Sequence, residues 1–92
     1  MSEIERNYLT ANSFEEVAPR HFERSMSKIV DVLFHGKMES RFTVEIFFLG
    51  NRTYNVRYSK DNRTVKMKTY SFGWARTVNA IRDTVEYAGF AL

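Results

Sequence analysis

Between Arg41 and Tyr70, apolar and polar residues alternate with a period of two, the spacing of side chains along a half-buried β-strand. Phe42, Val44, Ile46 and Phe48 fall on one side of a first strand, and Thr43, Glu45, Phe47 and Leu49 on the other. A second strand turns Tyr54, Val56 and Tyr58 inward and Thr53, Asn55, Arg57 and Ser59 outward. A third turns Val65, Met67 and Thr69 inward and Thr64, Lys66, Lys68 and Tyr70 outward. Gly50-Asn51 and Asp61-Asn62 separate the runs, and Gly, Asn and Asp tolerate the positive φ of tight hairpins. Residues 41–70 are therefore expected to form a three-stranded antiparallel meander.

Residues opposite one another must share a face, which sets the expected register. A two-residue loop at Asp61-Asn62 pairs Tyr58 with Val65, Val56 with Met67 and Arg57 with Lys66. The first hairpin needs an odd loop, read as three residues with a bulge at Asn51 or Arg52, and one such register puts Glu45 beside Arg57. Arg57 and Lys66 then oppose each other with Lys68 close by. Such a pair weakens the sheet unless Glu45 or an outside anion such as a phosphate backbone satisfies it.

The flanks show a helical period. Ser13 and Glu16 have the spacing of a capping box, so a helix is expected over 13–36, kinked near Pro19 and capped by Gly36. Ala18, Phe22, Met26, Ile29, Val30 and Leu33 gather on one side of it. Arg20, Arg24 and Lys28 line a solvated side, within reach of Glu16, Glu23 and Asp31. Ser71 to Gly73 connect to a second helix over 74–89, with Trp74, Val78, Ile81, Val85 and Ala88 on its apolar stripe and Gly89 as its cap. Trp74 is the expected core anchor, while Arg76 and Tyr87 face water. Residues 1–12 are expected to be an N-terminal arm or a short edge strand. Two amphipathic helices and a half-apolar sheet close by laying both helices on one sheet face, giving a single α+β domain over 1–92 of order α-β-β-β-α.

That element order resembles the double-stranded RNA-binding domain, and three strands followed by a helix look like the AP2-type DNA-binding domain. The likeness is one of topology over residues 14–89. Where the first family has a lysine run opening its second helix, this chain has Trp74-Ala75-Arg76-Thr77; where the second has Trp and Arg repeats in its strands, the single Trp here opens a helix.

Composition narrows the chemistry. The 92 residues suffice for one modest core. Without cysteine there is no disulfide, thiolate nucleophile or Cys-based metal site. Nor is there an apolar run near the roughly 18 residues of a membrane span, or a charged-then-apolar leader, so a cytoplasmic protein is expected. Asn51-Arg52-Thr53 and Asn62-Arg63-Thr64 fit the glycosylation pattern but read as turns feeding strands. The net charge of +3 is uneven: residues 1–40 hold five basic against seven acidic residues, and residues 41–92 nine against four. The positive field belongs to the second hairpin.

Catalytic constellations are not evident. His21 and His35, fourteen residues apart on the expected helix, lie roughly 21 Å from each other, and neither has a Cys or a carboxylate at ligand spacing. Neither a metal nor a cofactor is expected, and the adjacent Glu15 and Glu16 point apart on a helix. A non-catalytic binding module follows. In the first reading Arg57, Lys66 and Lys68 meet the phosphates of a single-stranded nucleic acid, Phe47 and Tyr70 stack on bases, and Arg52, Lys60 and Arg63 add charge at the turns. In the alternative, a regulator, inhibitor or homodimer, Phe47, Leu49 and Tyr70 form an apolar patch rimmed by cations against an acidic protein surface. Both readings require the second hairpin to hold its cations together on one uncovered surface.

Overall fold

Strand pairing, not helix formation, claims residues 21–32. The structure, a computed structural model, describes residues 2–71 and 74–87, the side chain of Tyr87 excepted. Its elements are α1 (Glu3–Ala11), β1 (Glu15–Ala18), β2 (His21–Val32), β3 (Gly36–Gly50), β4 (Thr53–Lys60), β5 (Arg63–Ser71) and α2 (Trp74–Tyr87). The strands form one antiparallel sheet in the order β1-β2-β3-β4-β5. The expected three-stranded sheet of order α-β-β-β-α is thereby corrected to five strands between two helices.

The expected helix over 13–36 is replaced by β1, β2 and the turns around them. Its strongest signal, Phe22, Met26 and Val30, is spaced by four residues, which is both about one helical turn and two strand repeats. Twelve consecutive pairs with β3, from His21 with Phe47 to Val32 with Gly36, decide for the strand. Pro19 and a left-handed Arg20 (φ 61°) make the β1–β2 turn. Gly36 (φ 73°) opens β3 rather than capping a helix.

Residues 1–12, expected as an arm or edge strand, carry α1. The capping box belongs to Ser2 and Glu5, not to Ser13 and Glu16: the Ser2 hydroxyl accepts from the Glu5 amide and the Ser2 amide donates to the Glu5 carboxylate, each at 3.2 Å. Both helices lie on the same sheet face, but α1 takes the place there that was expected of a helix over 13–36. Leu9 of α1 and Ala80, Ile81 and Val85 of α2 join Phe14, Phe22, Val44, Ile46, Tyr54, Val56 and Tyr58 in the core. Trp74 is the expected anchor, its ring 5.6 Å from that of Tyr8 and 5.4 Å from that of Tyr54. The turn at Phe72-Gly73, Ala88, the cap at Gly89 and the direction of Tyr87 lie outside the described residues.

Two-residue turns with positive φ join β3 to β4 (Asn51 50°, Arg52 56°) and β4 to β5 (Asp61 49°, Asn62 68°). The first confirms Glu45 opposite Arg57 but places the extra residue at Leu49 rather than Asn51 or Arg52. The second has the expected loop and a different register, because a bulge at Val65 shifts the pairing by one residue. Tyr58 pairs with Lys66, Val56 with Lys68 and Arg57 with Met67. The single-residue slip exchanges the two faces of β5 from Val65 onward.

Candidate functional site

The slip overturns the premise that the cations of the second hairpin share the open sheet face. Lys66 and Lys68 stand on the helix side, opposite the inward-facing Tyr58 and Val56. Arg57 alone of the strand cations in that group remains on the open side, half-buried, with its guanidinium 3.7 Å from Glu45. Tyr70 pairs with core Tyr54 and packs at the core edge, whereas Phe47 is on the open face, its ring 4.2 Å from that of His21 and nearly parallel to it. Lys60 and Arg63 face each other across the last pair before the Asp61-Asn62 turn, and Arg52 is exposed in the turn before β4. The six basic and two aromatic residues are therefore divided between the two faces and the turns. The same division breaks up the apolar patch of Phe47, Leu49 and Tyr70.

What the slip removes from one face it assembles on the other. Three successive cross-strand rows on the helix side end on a β5 cation: Phe22, Ile46, Val56, Lys68; then Arg24, Val44, Tyr58, Lys66; then Met26, Phe42, Lys60, Arg63. Lys28, opposite Ser40, begins the next row. Arg24, Lys28, Lys60, Arg63, Lys66 and Lys68 thus share one side of the sheet, and β2 to β5 contribute no acidic residue to that side. Sequence reading missed Arg24 and Lys28 because it placed them on a helix.

Aromatic rings support this strip. Lys28 Nζ and Lys60 Nζ lie 5.5 and 5.7 Å from the centre of the half-buried Phe42 ring, and Lys68 Nζ lies 5.3 Å from that of Tyr70. Lys60 and Lys68 are exposed and Lys28 half-exposed, so each ammonium group sits over a ring at the edge of solvent. Phe42 stacks in parallel on Tyr58 with centroids 6.4 Å apart, so the strip has a stiff aromatic base. Alongside it, Lys68 and Tyr70 face Arg76, Asn79 and Asp83 of α2 across a groove of about 510 Å³.

The open face is acidic by contrast. Glu15, Glu23 and Glu45 stand in one cross-strand row with Arg57, and Glu39 and Asp31 extend the same side toward the β2–β3 turn. Glu45 stands beside Arg57 as expected, although the Arg57–Lys66 pair it was to relieve is not formed, and Glu45 also holds His21 Nε2 at 2.8 Å. Among the described residues no helix is long and apolar enough to cross a membrane. No family model, no curated protein and no solved structure matches the chain, so its functional reading is carried by these residues alone.

Proposed function

We propose that this protein is a non-catalytic, backbone-directed nucleic-acid-binding module that holds single strands along the part of the sheet's helix side left uncovered by α1 and α2, where Lys60, Arg63, Lys66 and Lys68 are exposed and Arg24 and Lys28 half-exposed. One observation carries the reading: six cations on the helix side of β2 to β5, with no acidic residue from those strands among them. Phosphates neutralised by Lys and Arg release condensed counterions, which supplies affinity without base recognition. Four of the six are lysines, flexible point charges suited to a backbone rather than to a fixed base edge. The half-exposed Phe42, beside Lys28 and Lys60, and Tyr70, beside Lys68, are rings in the strip for bases to stack against. Such a partner places the protein in the cytoplasm or another compartment that holds nucleic acid.

The test is a titration of a fluorescein-labelled oligothymidylate of twelve nucleotides at stepped salt concentrations. Six phosphate contacts give a slope of log K against log salt of about −4 for a single strand. Absence of binding at low salt, or binding that salt leaves unchanged, would falsify the proposal.

A second reading, contact with a protein whose apolar groove is edged by acidic residues, is favoured by the far end of the β2–β3 hairpin. Ile29, Leu33, Phe34 and Met38 are all exposed there, Phe34 at 93%, with Lys37 among them. Exposed apolar side chains gathered at a projecting tip mark interaction surfaces. A stoichiometric protein partner that survives nuclease treatment, and is lost with Phe34→Ser, would select this reading.

A further inference from the structure

The open face carries a second, separate chemistry. Its central row runs Glu15, Glu23, Glu45, Arg57, Met67 across the five strands, and His21 stands in the next row beside Phe47. Glutamates directly opposed on one face repel each other unless a cation lies between them. The protein's own cations only partly answer: Arg41 is 3.8 Å from Glu23 and Arg57 is 3.7 Å from Glu45, both beyond the length of a charge-assisted hydrogen bond.

His21, Glu23 and Glu45 each bring one ligand atom into a group whose members all lie within 4.8 Å of one another. His21 Nε2 and Glu45 Oε2 are 2.8 Å apart. Two donors about 2.1 Å from one ion stand about 3.0 Å apart at neighbouring octahedral corners and about 3.4 Å apart in a tetrahedron, so this pair already has near-octahedral spacing. Glu23, on the same strand as His21 and two residues on, closes the third corner by rotation of a partly exposed side chain.

An independent observation points to a ligand beside the two carboxylates, on the side away from His21. Glu23 and Glu45 line a cavity of about 450 Å³ that Arg57 and Ser59 also line. Ser59 is 4% exposed, and its hydroxyl is buried with no hydrogen-bond partner, as is Arg57 Nε. Buried donors of this kind are normally satisfied, and both of these seek an oxygen. A small rotation of either side chain would turn its donor toward a water or oxyanion held by an ion at the carboxylates.

We propose that His21, Glu23 and Glu45 bind one divalent transition-metal ion, of the Zn²⁺, Mn²⁺ or Co²⁺ class, with its open positions turned into this cavity toward Arg57 and Ser59. One imidazole and two carboxylates suit that class, whereas Ca²⁺ and Mg²⁺ prefer oxygen ligands throughout and Cu⁺ prefers sulfur. The site lies on the opposite face from the cationic strip, so either can fail without the other.

The experiment uses the full chain without added histidines. Calorimetric titration with Zn²⁺ alone should show one ion per chain, bound at least about 10-fold more weakly by His21→Ala and by Glu45→Gln and unchanged by His35→Ala. Substoichiometric Mn²⁺ added to the unmutated protein should broaden amide resonances around residues 21–25 and 43–46, a readout that does not depend on any variant folding. Broadening centred elsewhere, loss of Zn²⁺ binding in His35→Ala, or no saturable binding overturns the proposal.

Discussion

Reversing Lys60 and Lys66 to glutamate addresses the cationic strip where it is most exposed. Both side chains are on the helix side of the sheet and solvent-exposed, and Lys60 contacts the Phe42 ring from 5.7 Å. With log K falling by about 0.7 per phosphate contact for each decade of salt, one contact is worth about 5-fold in affinity at 0.1 M salt relative to 1 M. Losing two of six contacts should weaken oligothymidylate binding about 25-fold at 0.1 M and flatten the salt slope from about −4 to about −3. The cost to stability should stay near 1 kcal/mol, because both side chains are solvent-exposed. Fluorescence anisotropy between 50 and 300 mM salt measures affinity and slope, and circular dichroism checks the fold. Arg41→Glu on the open face, where Arg41 is largely exposed, is the matched control and should change affinity far less. If Arg41→Glu weakens binding as much as the double reversal, or if the reversal leaves the slope unchanged, the assignment of the binding face is refuted.

Three further outcomes follow from the packing. Ile46→Ala, at a residue with no exposed surface between Phe22 and Val56, should cost about 2–5 kcal/mol in urea denaturation. Burial, then the hydrogen bond to Glu5 and its negative charge, raise the Tyr54 phenol above its ordinary value of 10.0. Its stabilising contribution is therefore complete below pH 10.0 and declines above it, where the unfolded phenol ionises first. Tyr54→Phe should remove up to about 1.4 kcal/mol per pH unit from the alkaline loss of stability, measured by denaturation between pH 9 and pH 11. Phe34→Ser, at a side chain 93% exposed, should leave the thermal midpoint unchanged within about 0.5 kcal/mol of stability.

The meander over 41–70 was legible because Phe42 to Ile46 and Tyr54 to Tyr58 alternate cleanly and Gly50, Asn51, Asp61 and Asn62 are residue types suited to positive φ. Strand β2 was hidden by its own spacing. Phe22, Met26 and Val30 fit both periods, and Arg24 and Lys28 fill inward positions where an apolar residue would have revealed the alternation. The signal for α1 was present in Ser2 and Glu5, which repeat the Ser13–Glu16 pattern one element earlier. The bulge at Val65 left no such mark. On an edge strand with Val65 and Met67 exposed, the apolar pattern does not force either face inward, and lysine stems cover the core side instead. The candidate site moved with it: the cations were identifiable, but one inserted residue decided which face they share. The His21, Glu23 and Glu45 group was equally out of reach, since only pairing of β2 with β3 brings residues 21 and 45 together.

The face that meets nucleic acid is the central claim, and amide chemical-shift mapping of the labelled protein with unlabelled oligothymidylate tests it directly. Perturbations gathered at Lys28, Phe42, Lys60, Lys66 and Lys68, with His21, Glu23 and Glu45 unmoved, are the expected result. Perturbations centred on Phe47, Asn55 and Arg57 of the open face would contradict it.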